Sequence, residues 1–541
     1  MDVPTTAWVG RPVRRTGLDN LGTQQPCVLI YSYLLPGITN VTDRAIYYGF
    51  YPWFIRAFVN RYADADGNRF RAELRKADCL LTLIAQRHGA ITPDVDGGRH
   101  GGACPGTQKL GPAVQELSPR QSLSLSRFAD RSDSNADRYF KNSLGGLGQY
   151  YLGALRDEMG VLNGDARMGI QFIHEIADPI ADDFASKEEE ALFFKSLEAN
   201  KVSLSDLDDL VAFCPCSLAD GGRPNAQARL IELIFGDSRL DQPKSRRRRN
   251  ALGLLLSYLD ECGGSPTSDP IQSFLTACYG ASLDGTSAWV LPHDYEVVRR
   301  SWALYVRNEM LSLAWLGLFK ASLDCLDGLP KPISSVAQAA DWLLTQDEFS
   351  YRPQLDFDEL IAEESDNLPV LNVSGDREHE VQVWIALTKQ PISPVLLAIG
   401  LLRKLIARHG TGKGVYNEVE VSKEALSGYP LNLDTLSDQV RRWSGLSPQA
   451  WMRSLLIETL SAHHRVAIRK LGQSGEDTLM FRTGEGGLFV DRLIDRIPET
   501  QPRLRQTLQI IRDLGLCEPI APGVLPRLTK RGVEQLAICK A

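Results

Sequence analysis

Along most of the chain apolar positions recur at three- and four-residue spacing, the period of a helix buried along one side. From Tyr139 the pattern runs through RYFKNSLGGLGQYYLGALRDEMG, EEEALFFKSLEA, SLSDLDDLVAF and AQARLIELIFG. It continues over residues 250–261 and 286–327, where Trp289, Trp302, Tyr305, Trp315 and Phe319 are the expected core anchors, and from Val381 to Ala407. No fixed-length repeat organises these segments. The pattern predicts a mainly α, multi-domain protein.

Nearer the N-terminus the periodicity is less decisive. CVLIYSYLL, residues 27–35, is apolar throughout and closed by Pro36-Gly37, which suits a buried strand or a short core helix equally. Thr42 is placed to cap a helix starting at Asp43, with Pro52 kinking it or starting a new one. That helix carries Tyr47, Tyr48, Phe50, Tyr51, Trp53, Phe54, Phe58 and Tyr62. These rings lie all round it with little cationic charge nearby, so they read as core and not as a stacking platform for single-stranded nucleic acid. An amphipathic helix over about 68–88 leads into the Gly-rich PDVDGGRHGGACPGTQKLGP, and residues 117–137 are polar and Ser-rich, so 91–137 reads as a linker or mobile segment. Residues 347–380, with DFDELIAEESDN and VSGDREHE, form a second, acidic break. Four divisions follow: 1–115, an aromatic-rich helical domain; 138–346, a central helical domain; 378–480, a second helical domain; and 486–541.

Composition narrows the class. With 541 residues, 43% hydrophobic and 23% charged, the chain exceeds one hydrophobic core and is globular, not disordered. Its formal net charge of -7 opposes a polyanion, so any nucleic-acid contact requires a local basic face. The ten cysteines are scattered, several in apolar helical contexts (Cys79, Cys278, Cys325), and read as reduced, buried hydrophobes of a cytoplasmic protein. Neither a signal peptide nor an eighteen-residue apolar run is found, so no membrane partner is expected.

Few motifs carry chemistry. RHGTGKGV at 408–415 has Ala407 where a phosphate loop needs Gly and Gly414 where it needs a hydroxyl, and it follows a helix, so it reads as a helix cap and turn. Cys214 and Cys216 in AFCPCSLADGG, joined by His100 and Cys104, offer four ligands for a structural zinc; the one-residue spacing favours buried thiols, and neither metal nor cofactor is assigned. The sequence around Glu420 and Lys423 only approaches a nuclease pattern, and His463-His464 lacks partners. No catalytic residue is assigned, although a nuclease without a recognisable motif remains an alternative, with Asp43, Arg44, His174 and Glu175 as polar groups in an apolar setting. Arg246, Arg247, Arg248 and Arg249, after Lys244, form the densest positive run; phosphate or acidic-partner binding and an inert solvated loop explain it equally well.

The strongest pattern lies in residues 486–537. Phe489, Val490, Leu493 and Ile497 give the face of a short helix, and PETQP a turn. A second helix from about Pro502 buries Leu504, Leu508, Ile511 and Leu514, leaving Arg503, Arg505, Gln506, Gln509 and Arg512 on its other faces. Gly515 supplies a left-handed cap, LCEPI and LPRLT two strands about Ala521-Pro522-Gly523, and Thr529 the cap of a closing helix. RLRQTLQIIRDLGL with the LTKRG ending resembles the winged helix-turn-helix superfamily. That resemblance implies a small C-terminal α/β domain whose second helix enters the major groove of double-stranded DNA while the wing touches the backbone. Arg503, Arg505, Gln506, Gln509, Arg512, Arg527, Lys530 and Arg531 would then contact nucleic acid. Residues 490–541 hold nine Lys and Arg against six Asp and Glu, which suits that partner. YSYLLPGITNVTDRAIYYGFYPW resembles uncharacterised bacterial proteins associated with anti-phage loci. The expected function is a non-catalytic DNA-associated subunit of a bacterial multiprotein system, possibilities of antiviral defence included; the alternative is a scaffold or regulatory subunit that docks other protein subunits.

Overall fold

The computed structural model describes residues 13–14, 19–93, 98–165, 169–236, 242–285, 287–329, 333–349, 355–368, 380–389, 394–410, 412–484 and 487–540. The protein is mainly α, and among the described residues its strands are short and confined to two-stranded pairs. It forms two compact units, each assembled from separated stretches: Met1–Tyr31, Leu275–Val290 and Arg299–Thr500 in the first, and Ser32–Phe274, Leu291–Val298 and Gln501–Ala541 in the second. The units therefore cut across the divisions drawn at composition breaks. No helix among the described residues is long and apolar enough to cross a membrane.

The second unit is built on the aromatic helix Ile46–Arg61, whose Tyr47, Tyr48, Phe50, Tyr51, Trp53 and Phe54 are all buried. Trp53 meets Phe184, Phe193 and Phe213 at ring-centroid distances of 5.5, 5.3 and 5.3 Å, and Phe54 stacks on Phe194 at 5.7 Å. Rings spread all round a helix thus mean one enclosed on every side, as the sequence suggested. Gly49 permits this closeness: a Cβ there would lie 2.8 Å from the Phe184 ring. Pro52 sits inside the helix, which starts at Ile46 after Ala45 as N-cap and not at Asp43 after Thr42. Thr42 is fully buried, its hydroxyl accepting the Thr39 N–H at 2.7 Å to close the turn before the helix. The ambiguous run before it is the helix Gln25–Leu34.

The amphipathic helix is present as Gly67–Ile91. Much of the segment read as a linker is instead ordered structure: Thr107–Gln115 is a helix packed on Gly67–Ile91, and Leu123–Ser124 pairs with Lys201–Val202. Residues 94–97 of that segment lie outside the described residues. Asp78, on the Gly67–Ile91 helix, is fully buried and accepts hydrogen bonds from Tyr51 Oη (2.8 Å) and the Gly146 N–H (2.7 Å). Burial raises its carboxyl from 3.8 to about 7, against those two bonds. The folded state therefore holds this proton more tightly than the unfolded chain does, so the contribution is full below about pH 4 and is lost as pH rises through about 7. Asp78→Asn is expected to flatten the pH dependence of stability across that window; a denaturation midpoint that varies with pH as in the parent would contradict this.

In the first unit the helix His293–Leu326, from Arg299 onward, buries Trp302, Tyr305, Trp315 and Phe319. Phe357, Trp443 and Trp451 make a second aromatic cluster, with ring centroids 5.3 to 6.3 Å apart. Phe357 opens the helix Phe357–Asn367, capped by Asp356 and Glu359, so part of the acidic break is an amphipathic helix with Phe357 and Leu360 inside. Residues 350–354 and 369–379 of the break lie outside the described residues. His463, fully buried, accepts the Met480 N–H at 2.9 Å through Nε2 and donates to the Asn20 carbonyl at 3.0 Å, which gives the His463-His464 pair its partners. The helix Pro394–His409 ends at Gly410 with φ +60°, the cap expected there.

Candidate nucleic-acid interface and a buried thiol–imidazole cluster

The C-terminal residues of the second unit form the helix Leu504–Asp513, a return through Ala521-Pro522-Gly523, and the closing helix Lys530–Lys540. Gly515 takes the left-handed φ of +65°, Cys517 pairs antiparallel with Leu528, and Thr529 accepts the Gly532 N–H at 3.1 Å as cap. The tip also pairs with this unit's own chain: Pro266 bridges Val524, and the Leu525 N–H donates to Ser265 at 2.9 Å. The preceding helix does not form. Gly487–Val490 is a strand paired antiparallel with Phe481–Gly484, burying Leu488 and exposing Phe489.

Leu504–Asp513 is enclosed more fully than its amphipathic pattern implies. Besides the apolar stripe, Thr507, Arg512 and Asp513 are buried, Arg512 with 5% exposure. Half-buried Arg503 donates to the Ile38 carbonyl and the Ser32 hydroxyl, both at 2.8 Å. Gln506 donates to the Asn40 carbonyl at 3.2 Å, and Gln509 to the Gly98 carbonyl at 3.0 Å. Of the helix residues expected to read a groove, Arg505 alone is exposed. Polar side chains were assigned to solvent, while the fold supplies Arg503, Gln506 and Gln509 with carbonyl partners at segments remote in sequence and buries Arg512. Arg527, Lys530 and Arg531 are exposed.

The basic run is corrected in the same way. It lies inside the helix Pro243–Cys262, not in a loop before it. Arg248 is 1% exposed and donates to the carbonyls of Leu233, Ile234 and Pro36 at 2.9, 2.5 and 2.9 Å, closing the end of the helix Pro224–Phe235. Burial lowers its pKa to about 10. Arg249 donates to the Gly236 carbonyl at 3.2 Å, Arg247 lies over the Tyr33 ring at 4.3 Å, and Lys244 pairs with Glu158 at 2.9 Å. Arg246 is the exposed member. Asp43, Arg44, His174 and Glu175 form no common site: Arg44 is fully buried, whereas His174 is exposed and pairs with Asp178 at 3.0 Å.

What the fold does bring together is His88, His100, Cys214 and Cys216, whose ligand atoms all lie within 4.8 Å of one another. His88 comes from the last turn of Gly67–Ile91, His100 from the loop that follows, and the cysteines from the turn into the short helix Cys216–Ala219. His100 Nδ1 is 3.4 Å from Cys214 Sγ, and His88 Nδ1 is 3.3 Å from Cys216 Sγ. The imidazoles cross at 74° with centroids 4.6 Å apart. His100, Cys214 and Cys216 are buried and His88 half-buried. A hydrogen bond from Cys214 lowers Cys216 to about 5, with both imidazoles helping, whereas burial raises Cys214. Cys104, the fourth ligand suggested by sequence, instead directs its thiol to the His100 carbonyl at 3.8 Å. His88 takes its place, and no local spacing relates it to the cysteines.

The loop carrying His100 is held by Arg44, which donates to the carbonyls of Arg99, His100 and Gly102 at 2.9, 2.6 and 2.7 Å. Its remaining donors pair with Asp513 at 2.8 and 3.0 Å. Burial alone would depress the guanidinium, but the adjacent Asp513 carboxylate raises its pKa. No family model matches the chain, nor does any curated protein or solved structure.

Proposed function

We propose that the protein is a non-catalytic, nucleic-acid-associated subunit that meets double-stranded DNA through Arg527, Lys530 and Arg531, acting with other protein subunits of a bacterial, anti-phage type of system. The observation that carries this reading is the exposure of all three residues at the return into the closing helix of an otherwise acidic chain. The macrodipole disfavours Lys530 and Arg531 in a first turn, where a phosphate would be welcome, and the 4.0 Å pairing of Lys530 with Glu534 on the same helix is a long, exposed one. Arg505 and Arg246 are the further exposed cations of the original set.

Fluorescence anisotropy with a labelled duplex across a salt series tests the reading. The triple variant Arg527→Ala, Lys530→Ala, Arg531→Ala is expected to weaken binding roughly tenfold or more and to reduce the salt slope by about 2 to 3, the value for three lost phosphate contacts. Binding and slope equal to the parent's would overturn it. A second reading, docking of a protein partner, is favoured by Val533 and Ile538 on the closing helix, which are 47% and 64% exposed. It predicts no duplex affinity in the parent itself.

A further inference from the structure

We propose that His88, His100, Cys214 and Cys216 bind one structural zinc ion. The donor set, two imidazole nitrogens and two sulfurs, is that of closed tetrahedral zinc sites, in which four protein ligands leave no position for a substrate. The separations fit as well. Zinc bonds of about 2.3 Å to sulfur and about 2.05 Å to nitrogen, at tetrahedral angles, place each nitrogen about 3.5 Å from each sulfur. His100 Nδ1 to Cys214 Sγ is 3.4 Å and His88 Nδ1 to Cys216 Sγ is 3.3 Å, and all four ligand atoms lie within 4.8 Å of one another.

Burial points the same way. His100, Cys214 and Cys216 are 3%, 0% and 4% exposed, so three of the four ligands are shut away from competing water. The outer contacts are those of a held site: Arg44 fixes the carbonyls on both sides of His100, and Cys104 points to the His100 carbonyl. A surface cavity of about 250 Å³, lined in part by Gln86, Gly89, His100 and Gly101, borders one of the four ligands. Both sulfurs bind as thiolates, any thiol proton still present passing to solvent, and no redox change is involved. The ion would join the end of one helix, the following loop and a turn more than a hundred residues later, so its role is to fix these segments of the second unit.

The test uses the full chain purified without added metal or a polyhistidine tag. Elemental mass spectrometry is expected to find about one zinc per chain. Cys214→Ser with Cys216→Ser should lower this at least tenfold, while Cys104→Ser leaves it unchanged. Because the double variant risks misfolding, two measurements stay with soluble, folded protein. Cobalt replacement should give thiolate charge-transfer absorption with tetrahedral d–d bands, and His88→Cys, which keeps four ligands, should retain metal. A parent chain without bound metal and without cobalt–thiolate absorption, a Cys214–Cys216 disulfide in the parent, or zinc retained in the double variant would each overturn the proposal. DNA binding is measured separately, so failure here and failure of the nucleic-acid reading are distinguishable.

Discussion

Replacing Arg44 by Met is expected to destabilise the second unit by about 3–5 kcal/mol, the range for removing one partner of a buried ion pair. Met keeps most of the volume, so the loss comes from charge and hydrogen bonding. Asp513, itself 3% exposed, would be left as an uncompensated carboxylate, and the carbonyls of Arg99, His100 and Gly102 would lose their donor. Arg44→Met with Asp513→Leu should recover part of the deficit, because removing both charges avoids the uncompensated one. Denaturant unfolding of the three proteins measures this. A loss below about 1 kcal/mol in the single variant, as for a screened surface pair, would show that Arg44 is not enclosed as described.

Trp53→Ala is the second large effect, at about 3–5 kcal/mol. Trp53 is 1% exposed and surrounded by Phe184, Phe193, Phe194 and Phe213. These rings come from three further segments, so a cavity at Trp53 removes contacts that join distant parts of the unit. Trp53→Phe keeps a ring in the space and should cost distinctly less. Thermal unfolding of both variants reports the comparison, and equal losses would mean that the ring environment is not packed as described.

The aromatic helix was legible because ring area alone exceeds what a surface tolerates, whichever way the helix faces. Gly515 and Gly410 were legible for a local reason, since a left-handed residue after a helix is a backbone requirement met by glycine. Where local rules competed, the sequence was less informative. Phe489, Val490, Leu493 and Ile497 satisfied a helical spacing, but pairing of Gly487–Val490 with the strand Phe481–Gly484 took the first two into a hairpin. Thr42 has the chemistry of a helix cap and serves a turn three residues earlier.

The candidate sites divide along the same line. Cys214, Cys216 and His100 could be singled out as metal-binding residue types, but His88 lies in a helix whose periodicity accounts for it entirely. Arg503, Arg512 and Arg248 were read as outward cations because charge ordinarily seeks water; each is drawn inward, Arg503 and Arg248 by carbonyls that only the fold places beside them.

The amino-acid sequence by itself determined helical class, the aromatic core and the turns closed by glycine, since these depend on residue size, period and backbone freedom within a few neighbours. Only tertiary structure decided which charges are solvated and which four ligands meet. Partners for a buried charge or a metal are chosen by distance in space, and His88 and Cys216 stand 128 residues apart along the chain yet 3.3 Å apart in the fold.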